Sequence, residues 1–351
     1  MNYPTLDSVP YPSLVAQIPT AQQLESQGSL QHELHEGALA TTRKTFGREV
    51  YVRGVVEVSN FCRENCHYCG MRRSNRELDR YRAEGDTLLQ MLLDERPQCI
   101  TDINIQAGED PVAVREVVIP LVRSLKASTT LGISVCLGTL SPELTRELQD
   151  AGASVYIIKF ELANADLYRQ LEAPGTLEER TNHIRWLATE GWAISSGFIA
   201  GLPGQGIEAA LENFRLAASL PLVGCSVSPF IAGGATPLAS SESASLDLTL
   251  NCMAALRIMR PDWVIPAVSA LNLAGPGSGY RRGLLAGANL CTINLTPESH
   301  RADYLLYRKD RFIMNEERIL SAIESVDRYP SPTSLSHRFA QPVSRMGLTL
   351  A

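Results

Sequence analysis

The sequence lacks the features of a membrane protein or a secreted protein. No stretch of its 351 residues approaches the roughly 18 consecutive apolar residues of a transmembrane helix. The first residues, MNYPTLDSVPYPSLV, contain neither a cationic start nor a long apolar block, as a secretory signal peptide would. Five of the eight cysteines are scattered singly, which does not fit a secreted disulfide framework. We therefore expect a cytoplasmic chain with no membrane partner.

An excess of positive charge is also absent. Lys and Arg number 32 against 38 Asp and Glu, so the net charge of −6 leaves no overall basic surface for a nucleic acid. The chain contains no H-E-x-x-H, G-x-S-x-G or P-loop motif. It therefore lacks the usual sequence motifs of a zinc protease, a serine hydrolase and a nucleoside triphosphatase. Its 44% hydrophobic and 20% charged residues are those of an ordinary globular enzyme with a sizeable core.

Short apolar or β-branched runs alternate with helical patterns from about residue 50 to about residue 296. Strands separated by helices indicate βαβ units and a parallel sheet. Eight such units in roughly 245 residues predict an α/β fold of the (β/α)8 TIM-barrel type, with a doubly wound open sheet as the alternative. The predicted strands span residues 52–59, 101–107, 131–137, 154–160, 193–199, 223–229, 263–269 and 288–294.

Helix ends are marked most clearly in the middle of the chain. Ser141-Pro142 and Gly152 have the residue types that begin and end a helix. Thr176 and Glu179 have the spacing of a capping box. These signals predict helices over 141–151 and 177–190.

Outside the barrel, the sequence predicts little regular structure. Residues 1–47 are predicted to form an N-terminal arm and a helix, and residues 48–325 the barrel. Residues 326–351 are rich in Ser and Pro, and we expect a loosely held C-terminal tail. His183, on one of the predicted helices, is expected to face solvent.

The most informative pattern is a group of three cysteines that directly follows the first predicted strand. Cys62, Cys66 and Cys69 form a C-x3-C-x2-C spacing within NFCRENCHYCG. Three thiolates on one tight loop are able to hold three irons of a [4Fe–4S] cubane and leave the fourth iron open for a small molecule. A structural zinc site is the alternative, with His67 or a distant cysteine as its fourth ligand. The loop would lie at the carboxyl-terminal mouth of the barrel, where barrel enzymes hold their active sites.

The segment VEVSNFCRENCHYCG resembles the cluster loop of radical S-adenosylmethionine (SAM) enzymes. The resemblance extends over about residues 46–325, and residues 246–325 resemble the part associated with biotin and thiamin synthesis. Within that superfamily the chain resembles the branch of biotin synthases, methylornithine synthases and [FeFe]-hydrogenase maturases, and most closely the HydE-type maturases. The segments that carry the resemblance are GREVYVRGVVEVSNFCRENCHYCGMRRSN, QAGEDP, ELANADLYRQL, SGFIAGLPGQ, SPFIAGGATPLA, IMRPDWVIPA and GANLCTINLTP.

This resemblance implies a complete site for a [4Fe–4S] cluster and SAM. Cys62, Cys66 and Cys69 would ligate the cluster, and its open iron would take the amine and carboxylate of SAM. Without the resemblance, the residue types alone would predict a surface ion pair between Glu161 and Arg180. They would likewise predict an ordinary strand-to-helix turn at QAGED. The implied SAM contacts are Tyr68 near the adenine, Gly108, Glu109 and Asp110 at the methionine amine, Glu161 and Arg180 at the ribose hydroxyls and the methionine carboxylate, and Gly197, Ile199 and Leu202 along the adenine.

The chain departs from biotin synthase at the positions of its second cluster. That enzyme holds a [2Fe–2S] sulfur donor inside the barrel with three further cysteines and an arginine. Here Ser195 stands at the fifth-strand cysteine position, and Cys136 lies near, but not at, the third-strand position. From the residue types alone, Cys136, Cys225 and Cys291 are expected to be small, buried apolar residues on strands. The sequence therefore predicts a single cluster.

The chain also departs from the maturases at positions that would surround the substrate. Lys159-Phe160 replaces an Arg-His pair just before Glu161. Two further departures are Cys291-Thr292-Ile293-Asn294 near the eighth strand and Val268-Ser269 on the seventh. The resemblance thus implies a retained SAM site beside an altered substrate pocket.

These observations predict an enzyme. A reduced cluster would pass one electron to SAM, and the resulting 5′-deoxyadenosyl radical would attack a small-molecule substrate inside the barrel. We expect HydE-like maturase or mutase-type chemistry, meaning rearrangement, fragmentation or radical addition, with biotin-synthase-like sulfur insertion as the alternative. A non-catalytic iron–sulfur or zinc protein is the alternative from another class. The resemblance implies flavodoxin or ferredoxin as the electron donor.

Overall fold

The structure is a computed structural model that describes residues 17–307 and 313–340. At its centre is a parallel sheet in the strand order β6-β5-β4-β3-β2-β1-β7, with β8 pairing with the start of β1. The strands are β1 (Glu49–Ser59), β2 (Asp102–Ala107), β3 (Gly132–Cys136), β4 (Val155–Ile157), β5 (Ala193–Ala200), β6 (Gly224–Pro229), β7 (Leu290–Asn294) and β8 (Tyr329–Pro330).

The predicted strand over 263–269 is wrong as a continuous strand, although the segment takes its expected place in the barrel. Only two parallel bridges form, Val264 with Gly224 of β6 and Pro266 with Leu290 of β7. Pro266 has no backbone N–H, so a regular hydrogen-bond ladder is interrupted at that residue. The two bridges connect β6 to β7 and complete the ring of a (β/α)8 barrel, as the sequence predicts.

Helices follow the strands and cover the outside of the sheet. Residues Val114–Val118 form a π-helical turn between two of them. The helices are α1 (Ala21–Leu24), α2 (Gly28–Phe46), α3 (Gly85–Asp94), α4 (Pro111–Ala113), α5 (Ile119–Ser128), α6 (Pro142–Ala151), α7 (Ala165–Gln170), α8 (Leu177–Thr189), α9 (Ile207–Ser219), α10 (Leu246–Met259), α11 (Ala270–Ala274), α12 (Gly279–Leu285), α13 (Glu298–Arg301), α14 (Glu316–Glu324) and α15 (Leu335–Phe339).

The predicted helix ends are confirmed. The Ser141 hydroxyl accepts from the backbone N–H of Leu144 at the start of α6, and Gly152 ends that helix in the left-handed conformation at φ 113°. Thr176 and Glu179 form the reciprocal bonds of a capping box at the start of α8. No helix within the described residues is both long and apolar enough to span a membrane.

The segment 326–340, expected to be loosely held, is in fact tied to the barrel. The Arg328 guanidinium donates to the backbone oxygens of Ala288 at 2.7 Å and Glu49 at 2.6 Å. The Asp102 carboxylate, at the start of β2, accepts from the Leu335 N–H at 3.0 Å. The tail therefore covers the amino-terminal end of the strands, through long-range contacts that no local sequence pattern signals. Residues 341–351 lie outside the described residues.

Alternation along the strands separates the outside of the barrel from its interior. Outward residues such as Ile103, Ile105 and Val227 are fully buried among the helices in one large apolar core. Inward positions are instead mostly polar, including Arg53 and Glu57 on β1. Layers of bulky aliphatic side chains usually fill such an interior, so polar inward positions indicate a binding cavity.

Candidate active site

The cysteine loop leaves the carboxyl end of β1 and is held by hydrogen bonds from two polar side chains. The Asn60 amide donates to the backbone oxygens of Asp79 at 2.7 Å and Asp303 at 2.8 Å. The Arg80 guanidinium donates to the backbone oxygens of Met71 at 3.0 Å and Arg72 at 2.8 Å. These bonds satisfy loop carbonyls that no regular structure pairs, and thereby fix the shape of the loop.

Gly108 allows the next strand end to approach this loop. A Cβ atom at residue 108 would lie 2.2 Å from the backbone oxygen of Phe61 and 2.8 Å from Cβ of Cys62. The neighbouring Glu109 N–H points at the Cys62 sulfur, 3.4 Å away. The glycine of the QAGED motif is thus required by the cysteine loop itself, because any side chain there would push the two strand ends apart.

The three thiols of the loop lie close together in an apolar environment. Burial raises the pKa of the Cys66 thiol well above its usual value, and the nearby sulfurs of Cys69 and Cys62 raise it further. Burial and the Cys62 sulfur raise the pKa of Cys69 to about 12. Such thiols lose their protons when a cation binds between them, and thiolates are the ligands that iron–sulfur clusters use. The donor set therefore fits the cluster that the sequence predicts.

The zinc alternative finds no fourth ligand in this loop. The His67 imidazole is directed at Glu172, with Nε2 3.3 Å from the carboxylate. Within residues 17–307 and 313–340, no three or more His, Cys, Asp or Glu side chains converge closely enough to hold a single metal ion.

Arg180 and Glu109 form the centre of a buried charge network. The Arg180 Nη2 lies 2.9 Å from Glu109, and the two side chains are only 4% and 8% exposed. Arg63 binds the other carboxylate oxygen of Glu109 at 3.1 Å. Burial opposes the charge of Arg180, but Glu109, Tyr168 and Glu161 raise its pKa overall. The surface ion pair between Glu161 and Arg180, expected from the residue types alone, is therefore wrong, because Arg180 is buried and its partner is Glu109.

Glu161 occupies a strained backbone position beside β5. Its φ of 65° lies in the left-handed region, which is uncommon for a residue with a side chain. Hydrogen bonds with the backbone of Gly197 at 3.1 Å and Ile199 at 2.8 Å hold it there. Burial raises the pKa of its carboxyl group, although Lys159 and Arg180 act in the opposite direction. The carboxylate makes no hydrogen bond or ion pair with any described residue, which leaves it able to bind a ligand.

Asp110 is engaged with protein partners rather than with the other site residues. Its carboxylate accepts from Arg82 at 2.7 Å and from the Ser59 hydroxyl at 2.7 Å. Although burial acts against ionisation, the bonds from Arg82 and Ser59 lower its pKa. The side chain thus links the ends of β1 and β2 to the segment after the cysteine loop.

The residues expected along an adenine are brought into one apolar cluster. Ile199 and Leu202, at the end of β5, are buried together with Tyr168, and the ring of Tyr68 packs against them. The buried hydroxyl of Tyr68 lies beside the Cys66 thiol. It makes no hydrogen bond of good geometry with any described residue. An apolar surface with one aromatic ring next to the thiols is suited to a flat, aromatic ligand group.

An interior cavity of about 160 Å³ lies within the barrel. Five of the positions that differ from the maturases line it, which fits their expected place around a substrate. Cys136 and Ser195 line it too, whereas Cys225 and Cys291 are fully buried in the outer core. The five positions are Lys159, Val268, Ser269, Thr292 and Asn294.

His183, expected to face solvent, is buried, and burial lowers its pKa to about 3.

Several residues that build this site were not singled out in the sequence. Arg63 lies in the cysteine loop and Arg80 shortly after it, but their bonds to Glu109 and to the loop backbone have no sequence signature. Tyr168, on α7, acts on Arg180 from a separate segment. Arg53 and Glu57 did give a signal in the sequence. Two charged residues four apart in the apolar run VRGVVEVS share one face of a buried strand, which indicates a polar interior.

Comparison with known proteins places these features in a family. The profile of the Radical SAM superfamily matches residues 56–217. The [FeFe] hydrogenase maturase subunit HydE of Thermotoga maritima is 35% identical over 267 residues, which cover 76% of each chain. The 3-methylornithine synthase of Methanosarcina barkeri is 26% identical over 83% of this chain and 82% of its own.

A solved structure supports the same fold. The crystal structure of methylornithine synthase (PylB) superposes with a TM-score of 0.79 at 21% identity, covering 91% of this chain and 94% of the other. The cysteine loop, the barrel and the similarity to HydE along three quarters of both sequences agree. The chain therefore belongs to the radical SAM superfamily.

Proposed function

We propose that Cys62, Cys66 and Cys69 ligate three irons of the [4Fe–4S] cluster and leave the fourth iron to the amine and carboxylate of SAM. The observation that carries this assignment is the group of three neighbouring thiols on a loop packed against Gly108. Radical SAM enzymes use these two cofactors, and the bound, reduced cluster supplies the electron that cleaves SAM to methionine and a 5′-deoxyadenosyl radical. The side chains of this protein decide where SAM lies and which molecule meets the radical.

The charge network at the mouth of the barrel would hold the polar groups of SAM. Arg180 is fixed by Glu109 and Thr139, and its guanidinium is suited to the methionine carboxylate. The Glu161 carboxylate makes no hydrogen bond or ion pair within residues 17–307 and 313–340, and it is suited to the two ribose hydroxyls. Gly108 and Glu109 would receive the amine, while Asp110 positions the strand ends through Arg82.

Tyr68, Ile199 and Leu202 would contact the adenine. Their shared apolar cluster lies next to the thiols, so it would place the nucleoside beside the open iron. The site would also exclude water, because the apolar side chains around it are buried. Exclusion of water and of stray hydrogen donors is what a reactive radical requires.

The reaction inside the barrel would be a rearrangement, a fragmentation or a radical addition. Sulfur insertion of the biotin-synthase type needs a second cluster, and Cys136 is the one cysteine among the cavity-lining residues. A lone thiolate does not anchor such a cluster. A non-catalytic role is disfavoured by the polar cavity inside the barrel, which a structural or electron-carrying protein would not need.

Reconstitution with iron and sulfide under anaerobic conditions tests this function. The purified chain should bind about four irons, the content of one cubane, and should convert SAM to 5′-deoxyadenosine when dithionite is added. Iron content and the nucleoside product are measured by metal analysis and chromatography. One bound zinc, or no nucleoside from a protein with four irons, would contradict the proposal.

A triple variant distinguishes one cluster from two. Cys136→Ser, Cys225→Ala and Cys291→Ala together should leave iron content and SAM cleavage close to those of the unaltered protein. Alanine is chosen at the two core positions because a buried hydroxyl there would lack a partner. Loss of about a third of the iron, together with the loss of a [2Fe–2S] signal that the unaltered protein shows, would restore the biotin-synthase-like function.

An acidic electron-transfer protein, a flavodoxin or a ferredoxin, is proposed as the external electron donor. Residues 62–82 contain six arginines against three acidic residues, although the chain as a whole carries a net charge of −6. Arg73 and Arg76 are exposed and form no ion pair with any described residue. Their position beside the cysteine loop would direct an acidic partner toward the cluster.

A cytoplasmic location is proposed, since eight free cysteines suit a reducing compartment.

Charge reversal at this surface should slow reduction of the cluster by a protein donor but not by a small-molecule reductant. In Arg73→Glu/Arg76→Glu, 5′-deoxyadenosine formation with a reduced flavodoxin at low salt should fall about tenfold, because electrostatic steering is reversed. The rate with dithionite should stay unchanged. The control variant, Lys44→Glu/Arg123→Glu, reverses two exposed charges away from the loop. An equal loss in both variants would mean that the donor does not bind at residues 62–82.

A further inference from the structure

Arg63 connects the cysteine loop to the charge network around Arg180. It directly follows Cys62, and its guanidinium donates to Oε2 of Glu109 from Nε at 3.2 Å and from Nη2 at 3.1 Å. The same Nη2 donates to the backbone oxygen of Thr139 at 2.8 Å. A planar guanidinium presents several donors in a fixed arrangement and is suited to hold two acceptors at once. Arg63 therefore fixes Glu109 and Thr139 relative to each other.

Both acceptors of Arg63 belong to residues that also hold Arg180. The Arg180 Nη2 donates to Oε1 of Glu109 at 2.9 Å, and Nη1 donates to the Thr139 hydroxyl at 3.1 Å. Glu109 thus lies between the two guanidiniums, with one carboxylate oxygen directed at each. Two separate chains of hydrogen bonds therefore run from Arg63 to Arg180, one through the carboxylate and one through Thr139.

The turn between β3 and α6 limits the freedom of this arrangement. Gly138 adopts a φ of 71°, and a Cβ atom there would lie 2.1 Å from Cγ of Glu109. The Tyr156 hydroxyl donates to the backbone oxygen of Gly138 at 2.9 Å and fixes the turn to β4. One side of the Glu109 side chain is thus blocked by backbone, and Arg63 holds the carboxylate from another side.

Arg180 retains one donor for a ligand. Its side chain is buried, and its Nε makes no hydrogen bond with any described residue. Because Nη1 and Nη2 are held by Thr139 and Glu109, these two partners set the direction in which Nε points. A carboxylate that binds this edge meets a donor that is already oriented, which reduces the ordering cost of binding.

We propose that Arg63 is a positioning residue for SAM: through Glu109 and Thr139 it orients Arg180 toward the methionine carboxylate. This inference rests on the proposed function, which places that carboxylate at Arg180. Arg63 acts on SAM through Arg180 and makes no contact of its own with SAM. The cysteine loop thereby helps to set where the amino-acid part of SAM lies, in addition to carrying the proposed cluster ligands.

Two ligands that share a nucleoside distinguish positioning from a general structural role. S-adenosyl-L-homocysteine carries the amine and the carboxylate, whereas 5′-methylthioadenosine lacks both. The affinity of the oxidised, reconstituted holoenzyme for each is measured by isothermal titration calorimetry. In Arg63→Met the affinity for S-adenosyl-L-homocysteine should fall about three- to tenfold, a moderate loss because Arg63 is half-exposed and acts indirectly. The affinity for 5′-methylthioadenosine should stay unchanged. An equal loss for both ligands, or no loss for either, would overturn the proposal.

A double variant shows whether Arg63 acts through Arg180. In the Arg180→Ala background, adding Arg63→Met should weaken the binding of S-adenosyl-L-homocysteine by less than about twofold, because residues that act on one contact are not additive. The same loss in both backgrounds would mean that Arg63 contacts the ligand itself, which contradicts the proposal. Arg63→Lys keeps the charge but not the planar group, so its affinity should lie between those of Arg63→Met and the unaltered protein.

Arg146→Met is the matched control. Arg146 is 58% exposed and pairs with Glu190 at 3.0 Å, so it resembles Arg63 in exposure and in its partner. Its partner ends α8 and lies outside the network around Arg180. Both ligands should bind this variant as they bind the unaltered protein. Iron content and circular dichroism check the cluster and the fold, and Arg63→Lys becomes the test variant where Arg63→Met loses iron. SAM cleavage by the unaltered protein tests the proposed function separately, so the two failures are distinguishable.

Discussion

Replacing Cys66 by alanine should reduce 5′-deoxyadenosine formation to the level without enzyme. The proposed cluster has three protein ligands, and two thiolates would not hold three irons in place for SAM. Cys66 is buried, and the nearby thiols of Cys69 and Cys62 are themselves the other two proposed ligands, so neither is free to replace it. Cleavage is measured after anaerobic reconstitution, with dithionite as the reductant.

Cys99→Ala is the matched control for this substitution. Cys99 is half-buried on the far side of the barrel, where its sulfur lies 3.6 Å from Glu316. The control should retain both iron content and SAM cleavage. Retained cleavage in Cys66→Ala would instead refute the assignment of the cluster ligands, whatever the behaviour of the control.

Arg180→Ala and Glu161→Ala should each weaken SAM binding by roughly 10- to 150-fold, while the iron content stays at that of the unaltered protein. Loss of one charge-assisted contact costs about 1.5–3 kcal/mol, which corresponds to that range of affinity. For Arg180 the effect should lie at the upper end, because its removal also leaves Glu109 buried with Arg63 as its remaining cation. Equilibrium binding of SAM to the oxidised holoenzyme measures the change.

Arg185→Ala controls for damage to the helix that carries Arg180. Arg185 lies on the same helix α8, and within the part of the chain that the structure describes its guanidinium reaches only Asn182, at 3.4 Å. Its affinity for SAM should match that of the unaltered protein. If both Arg180→Ala and Glu161→Ala bind SAM normally, these residues do not contact SAM and the site must be assigned anew.

The sequence by itself determined the family, the order of the strands and the cysteine loop. Each of these rests on short-range information. Three cysteines within eight residues share a loop whatever the rest of the chain does, and capping residues such as Thr176 act on their own helix. The alternation of strands and helices likewise predicts a parallel barrel, because few topologies accommodate it.

Contacts between distant segments were decided only by the tertiary structure. Arg180 lies buried against Glu109, 71 positions earlier, and the tail binds Asp102 across 233 positions. The predicted strand over 263–269 is reduced to two bridges because Pro266 cannot donate to a ladder. Sequence patterns report which face of an element is buried but not which residue it meets there. The pairing of Glu109 with Arg180, and the cavity shared by Arg53 and Lys159, therefore emerged only when the ring of strands was closed.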